Sequence, residues 1–257
     1  MNSILQAVIA DQIYVWLMVF TRIGSAFMIM PAIGDTFVSS RTRLLLALAV
    51  SVLVAPVVRQ NLPPEPQSAL LLMVLMVEEI TIGVFLGTVA RLLMGALEVA
   101  GTIIATQSGL ANAQMFNPAM ATQGSLTGAM LGWLGLLLIF ITDFHHLLIM
   151  AVVDSYTLFK PGTAMPVGDM ADMVGKMVAH SFVVGVQMST PFIITGMLFA
   201  LALGLMNKLA PQVQVFFLFT SLQVALGLFL LALTLSAMMM FWLREFESTF
   251  IQFLNPG

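Results

Sequence analysis

Six apolar runs, at about 12–33, 44–58, 69–97, 124–157, 177–206 and 213–243, dominate this chain of 257 residues. A helix needs about 20 residues to cross a hydrocarbon core of about 30 Å. Porin-type strands are shorter and alternate apolar with polar positions; these runs are too long and do not alternate. An all-α fold of membrane-type helical hairpins is therefore expected. The lengths are irregular. The second run is short and contains Pro56, and the fourth is too long for one span and carries Asp143, His145 and His146 in its middle. Such runs read as kinked or broken helices rather than a plain six-span bundle.

Composition agrees with a lipid setting. The chain is 60% hydrophobic and 8% charged, with a mean hydropathy of +1.04, whereas soluble domains carry about a quarter charged residues. A net charge of -3 gives no reason to expect nucleic acid or an anionic lipid surface as partner. Without cysteine, disulfides and thiolate metal sites are excluded. Met1 to Asp11 holds no basic residue, so the N-terminus is expected to be retained rather than cleaved as a signal.

Between Glu98 and Asp143 no Asp, Glu, Lys or Arg occurs. The centre of that interval, Gly101 to Gly128, mixes Gln107, Ser108, Asn112, Gln114, Asn117, Thr122 and Gln123 with Met115, Phe116 and Met120. Non-helical backbone at membrane depth is tolerated only where protein buries it or where it lines a water-filled cavity. The stretch is read as a central non-helical loop, the lining or plug of a passage, formed by Gln107, Asn112, Gln114, Met115, Phe116, Asn117, Pro118 and Met120. Methionine side chains adapt to irregular surfaces, so Met115 and Met120 beside Asn117-Pro118 could close around a passing chain of variable sequence.

Charges inside apolar runs are functional candidates by default. Asp11 and Arg22 share a helix face but sit about 16 Å apart along the axis at 1.5 Å per residue, too far to pair with each other. Arg91 and Glu98 share a face, and Asp143 and Asp154 repeat the spacing of the first pair. Together with Glu79 these residues are read as buried charged contacts, within the chain or between subunits. Of the histidines, only His146 would meet Asp143 on a continuous helix, because neighbours diverge by about 100°; no metal site is expected. No nucleophile is placed beside a base, so neither catalysis nor a cofactor is expected.

Connections are expected at Asn61–Pro66, Lys160–Pro166 and Asn207–Pro211, with Asp169 as the helix N-cap after the second. Small residues recur at four-residue spacing at Gly83, Gly87 and Gly95 with Arg91 between the last two, at Gly124, Gly128 and Gly132, and at Gly196, Ala200 and Gly204, marking close helix approaches. The usual excess of Lys and Arg on one side of the membrane is missing: Arg41, Arg43 and Lys208 would stand against Arg59, Lys160, Lys176 and Arg244. A secondary transporter with a broken helix at the midplane remains an alternative reading.

Taken jointly, Arg22-Ile-Gly24, Pro31-Ala-Ile-Gly34, Arg41-Thr-Arg43, Glu79 with Gly83 and Gly87, Gly101 with Gln107 and Gly109, His146 before Ser155, Pro191, and Asn207-Lys208-Leu-Ala-Pro211-Gln212 resemble the FliR/SctT family of type III export-gate proteins over essentially the whole length. Phe144 departs from the glycine usual before the histidine pair. The resemblance implies a single domain over 1–257, its residues 1–165 arranged like FliP and 166–257 like FliQ. It implies a non-enzymatic subunit in the bacterial inner membrane at the flagellar basal body, assembling with FliP and FliQ, contacting FlhB and working beside FlhA. It further implies that unfolded proteins pass through the shared pore and that the segment from Gln107 to Gln123 plugs it.

Overall fold

The computed structural model describes residues 2–111, 125–209 and 215–254, and the side chains of 9–111, 125–209 and 219–251. Among these residues the chain forms seven α-helices and no strand: α1 (Asn2–Ile29), α2 (Ser40–Val58), α3 (Ala69–Gln107), α4 (Leu126–Ile141), α5 (Phe144–Leu158), α6 (Val167–Leu209) and α7 (Val215–Leu254). A 3-10 turn at Arg59–Asn61 follows α2. Five helices are long and apolar enough to cross a membrane, or six spans if the bent pair α4–α5 counts as one. The all-α expectation holds.

The fourth apolar run is broken. The axes of α4 and α5 differ by 76°, and Asp143 at the break has φ 60° and ψ 15°. Asp enters this left-handed region more readily than most side chains. The Asp143 amide donates to the Phe140 carbonyl and the His146 amide to the Asp143 carbonyl, so the turn retains its hydrogen bonds. Pro56 lies in the last turn of α2, where its missing N–H weakens the helix. The helix ends two residues later.

Two expectations need correction. The uncharged stretch is not wholly non-helical: α3 runs 39 residues, to Gln107, and α4 already includes Leu126 to Gly128. Ile104 and Ala105 are buried there, so packing rather than propensity carries the helix on. Asp169 is not the N-cap of α6, which starts at Val167. It lies in the first turn instead, where a carboxylate favours the unpaired amides.

The chain groups into two compact units, Met1–Leu92 with Ile139–Met177 and Thr249–Gly257, and Leu93–Leu138 with Val178–Ser248. In the first, α1 buries Val15, Met18, Val19, Ile23, Ala26 and Phe27, and Met30 just after it is buried too. This three-and-four spacing draws one seam along a helix that is otherwise apolar all round. The seam meets Ala47, Ser51 and Ala55 of α2, and Ile82, Phe85, Leu86 and Val89 of α3 belong to the same core. Gly83 lets α3 approach the α1 backbone at Arg22, as the small-residue ridge suggested. The core of the second unit is Leu97, Ala100 and Ile104 of α3, Leu131 of α4, Met188 and Phe192 of α6, and Trp242 and Phe246 of α7.

The link from α1 to α2 is held by polar groups. Ala32, buried and at φ 73°, donates its amide to Asp35 Oδ2 at 2.8 Å. Arg43 then donates to the carbonyls of Ile33, Asp35 and Val38 at 3.0–3.3 Å. These carbonyls belong to no regular element and need a donor. Arg43→Ala is expected to lower stability by about 1–2 kcal/mol, because water partly replaces the half-buried guanidinium. Arg43→Lys should recover only part, since one ammonium cannot span three carbonyls as the planar fork does. Thermal melting in detergent checks both.

Candidate functional site

The uncharged segment is framed at both ends within the second unit. At its entrance α3 ends with the Ser108 amide bonded to Ile104 O, Gly109 at φ 73°, and the Ala111 amide turned back to Ala105 O at 3.0 Å. Gln223 of α7 donates from Nε2 to the Gln107 carbonyl at 2.7 Å, which satisfies an acceptor the helix end leaves open. The Gln107 side chain lies against Gly196 of α6, and Ser108 lies against Gly227 of α7. Glycine at those two positions lets both helices close on the root of the segment.

At the exit Ser125 caps α4, accepting the Gly128 amide at 3.2 Å, and donates to the Gly101 carbonyl at 3.0 Å. Beside this bond α3 and α4 touch backbone to backbone at Gly101 and Gly128; a Cβ on Gly101 would overlap the Gly128 main chain. The segment therefore leaves α3 and returns to it within six residues, Gly101 to Gln107. Elsewhere on α3 and α4, Trp242 Nε1 of α7 donates to Leu93 O at 3.0 Å, and the Trp242 ring and Leu97 each lie beside Gly135. Gln223→Ala is expected to cost about 0.5–1.5 kcal/mol. Hydrogen exchange of the amides at 107–111 should quicken while that of α1 stays unchanged.

Of the residues assigned to the plug, Gln107 is the root of the frame just described. Asn112, Gln114, Met115, Phe116, Asn117, Pro118 and Met120 lie outside the described residues.

Charged groups take different places. In the first unit Arg22 and Glu79 are fully buried and paired two-fold, Nε to Oε2 at 2.7 Å and Nη2 to Oε1 at 2.9 Å. Arg22 Nη1 also donates to Ser155 Oγ at 3.1 Å and Nη2 to Phe159 O at 2.9 Å, while the guanidinium lies 3.8 Å from the centre of the Tyr156 ring. One arginine thus joins α1, α3 and the end of α5. Asp11, half-buried, pairs with Arg59. Arg91 pairs with Asp35 across the α1–α2 link and is exposed in the single chain, as are Glu98, Asp143 and Asp154. Glu98 lies along Gly128 in the second unit.

The bend changes the histidine reading. Adjacent residues on a continuous helix diverge, but the break brings the Asp143, His145 and His146 side chains together, with candidate ligand atoms all within 4.8 Å of one another. Helical spacing separates His145 from Asp143 only on a continuous helix, and Asp143 precedes α5 in a left-handed conformation. Sequence reading also missed Gln223, Ser125, Ser155 and Tyr156 as parts of these arrangements. Ser125 carried a signal, a helix-capping residue immediately before an apolar run.

Residues 13–249 match the family described as bacterial export proteins, family 1. The chain is 42% identical over 238 residues to the flagellar biosynthetic protein FliR of Caulobacter vibrioides, covering 93% of this chain and 95% of that protein. It is 28% identical over 239 residues to FliR of Bacillus subtilis, covering 92% and 90%. It is also 28% identical over 240 residues to the Yop proteins translocation protein T of Yersinia pestis, covering 90% and 91%. This chain belongs to family 1 of the bacterial export proteins, the FliR/SctT family.

Proposed function

We propose that this chain is a non-enzymatic subunit of a type III protein-export gate that helps form and plug a pore for unfolded flagellar proteins. The observation that carries the reading is the frame around 112–124, in which Gln223 and Ser125 hold the two roots of a charge-free segment against α3. A segment whose two described ends are held by buried or half-buried bonds, and whose sequence is rich in amides and thioethers, suits a stopper that moves while its base stays fixed. Family membership supports the export reading. The relative at 42% identity is flagellar, which favours the flagellar system, although the translocation protein T at 28% stands level with the flagellar protein of Bacillus subtilis.

In this account Met115, Phe116, Asn117, Pro118 and Met120 occlude the axis at rest, with Gln107, Asn112 and Gln114 as their polar base, and substrate displaces them. No step uses a cofactor or a nucleophile. The subunit sits in the bacterial inner membrane at the flagellar basal body as one gate domain, residues 1–165 arranged in the FliP manner and 166–257 in the FliQ manner. FliP, FliQ, FlhB and FlhA-like proteins are its partners. Arg91, Glu98, Asp143 and Asp154, exposed in the single chain, face those neighbours, and the exposed apolar rows such as Leu45, Val52, Leu53 and Val57 of α2 meet subunits or lipid. A photo-crosslinker at Met115 is expected to capture a substrate stalled in export, and one at Leu53 is not. Capture at Leu53 with none at Met115 would contradict the reading.

A further inference from the structure

We propose that Asp143, His145 and His146 bind one divalent ion of the zinc class at the bend between α4 and α5. The inference rests on side-chain geometry in the first unit and is independent of the export reading. Three groups each offer one ligand atom, mutually within 4.8 Å. His146 Nδ1 is 3.7 Å from Asp143 Oδ1, and the two imidazole centres are 4.1 Å apart. Ligands bound at about 2.0–2.2 Å around a tetrahedral ion lie about 3.3 Å from one another. The widest separation therefore has to close by up to about 1.5 Å, and the Asp143–His146 pair by only about 0.4 Å. Asp143 and His146 have most of their side-chain surface free, which leaves both able to rotate inward.

The third group is held in place. The His145 ring packs against Phe140 at 5.3 Å between centres. Its Nδ1 is closed to solvent and has no hydrogen-bond partner among the described residues, and one of its ring nitrogens lies within reach of the other two ligand atoms. Two imidazoles and a carboxylate suit zinc, copper, nickel or ferrous iron rather than magnesium or calcium, which take oxygen ligands. Carboxylate and neutral imidazoles together carry one negative charge, which favours a divalent cation. An ion so placed ties the left-handed residue at the break to the first turn of α5 and stiffens the bend. Three protein ligands leave one position for water or for a group from a neighbouring subunit.

The test uses the full chain purified in detergent without a histidine tag and stripped with chelator. Cobalt(II) added as a probe should give the visible absorption of a low-symmetry nitrogen–oxygen site with a stoichiometry of about one per chain, and copper(II) should show nitrogen coupling in its electron paramagnetic resonance spectrum. Calorimetry with zinc should show His145→Ala and His146→Ala each weakening binding roughly tenfold or more, since even outer-shell partners of metal ligands cost that much. His180→Gln, in the other unit, should bind as the parent does. Wild-type chain with no nitrogen coupling overturns the proposal, and this readout stands even where a variant fails to fold. Unchanged zinc affinity in a folded His145→Ala/His146→Ala double variant overturns it equally.

Discussion

Arg22→Ala is expected to destabilise the chain by about 3–5 kcal/mol, the range for breaking a buried ion pair from one side. The size follows from what remains. Glu79, fully buried, loses both donors, and Ser155 Oγ and the Phe159 carbonyl lose theirs. Glu79→Ala should cost a similar amount by stranding the guanidinium. Replacing the pair together, Arg22→Met with Glu79→Leu, should recover most of the loss, because an apolar pair of similar volume often matches a buried ion pair in stability. Thermal unfolding in detergent, with the steady-state level in membranes as a second readout, separates these outcomes. If Arg22→Ala melts with the parent, the cluster does not hold α1, α3 and α5 together.

Gly101→Leu should cost about 3 kcal/mol, at the upper end for overpacking a tight contact. The added side chain meets the main chain of Gly128, which cannot rotate away as a side chain would. Separation of α3 from α4 there also pulls Ser125 off the Gly101 carbonyl and loosens the exit of the framed segment. Gly95 and Gly132 provide the control, since a Cβ at either meets nothing within 4 Å. Alanine at those two positions should be neutral or stabilising by up to about 1 kcal/mol through helix propensity. Melting curves of the three variants test the pattern, and equal effects at all three sites would remove the special status of the Gly101–Gly128 contact.

The helical class and the broken fourth run were legible because apolar length and an embedded Asp143 are local properties. Partners were not. Helix-face spacing can test Asp11 against Arg22 on one helix, but the partners these residues take are elsewhere: Arg22 pairs with Glu79, Asp11 with Arg59 and Arg91 with Asp35, each across elements. Burial was equally hidden, since α1 is apolar on every side and only tertiary packing selects its seam. Polar residues around 107 suggested an early exit from helix, yet the packing of Ile104 and Ala105 carries α3 on to Gln107. Gln223 stood as one amide in an apolar run, and nothing nearby in sequence points to a carbonyl 116 residues away. The small-residue ridges were informative only in part: Gly83, Gly87, Gly128 and Gly196 meet close neighbours, whereas Gly95, Gly132 and Gly204 face open space.

The central claim is that the segment between the two roots closes a passage. Its most direct measurement is the permeability of cells producing the assembled gate with residues 114–120 deleted. The account predicts increased leakage of ions and small solutes relative to the intact chain, with the gate still assembled. Leakage equal to that of the intact gate, in complexes of unchanged composition, would contradict it.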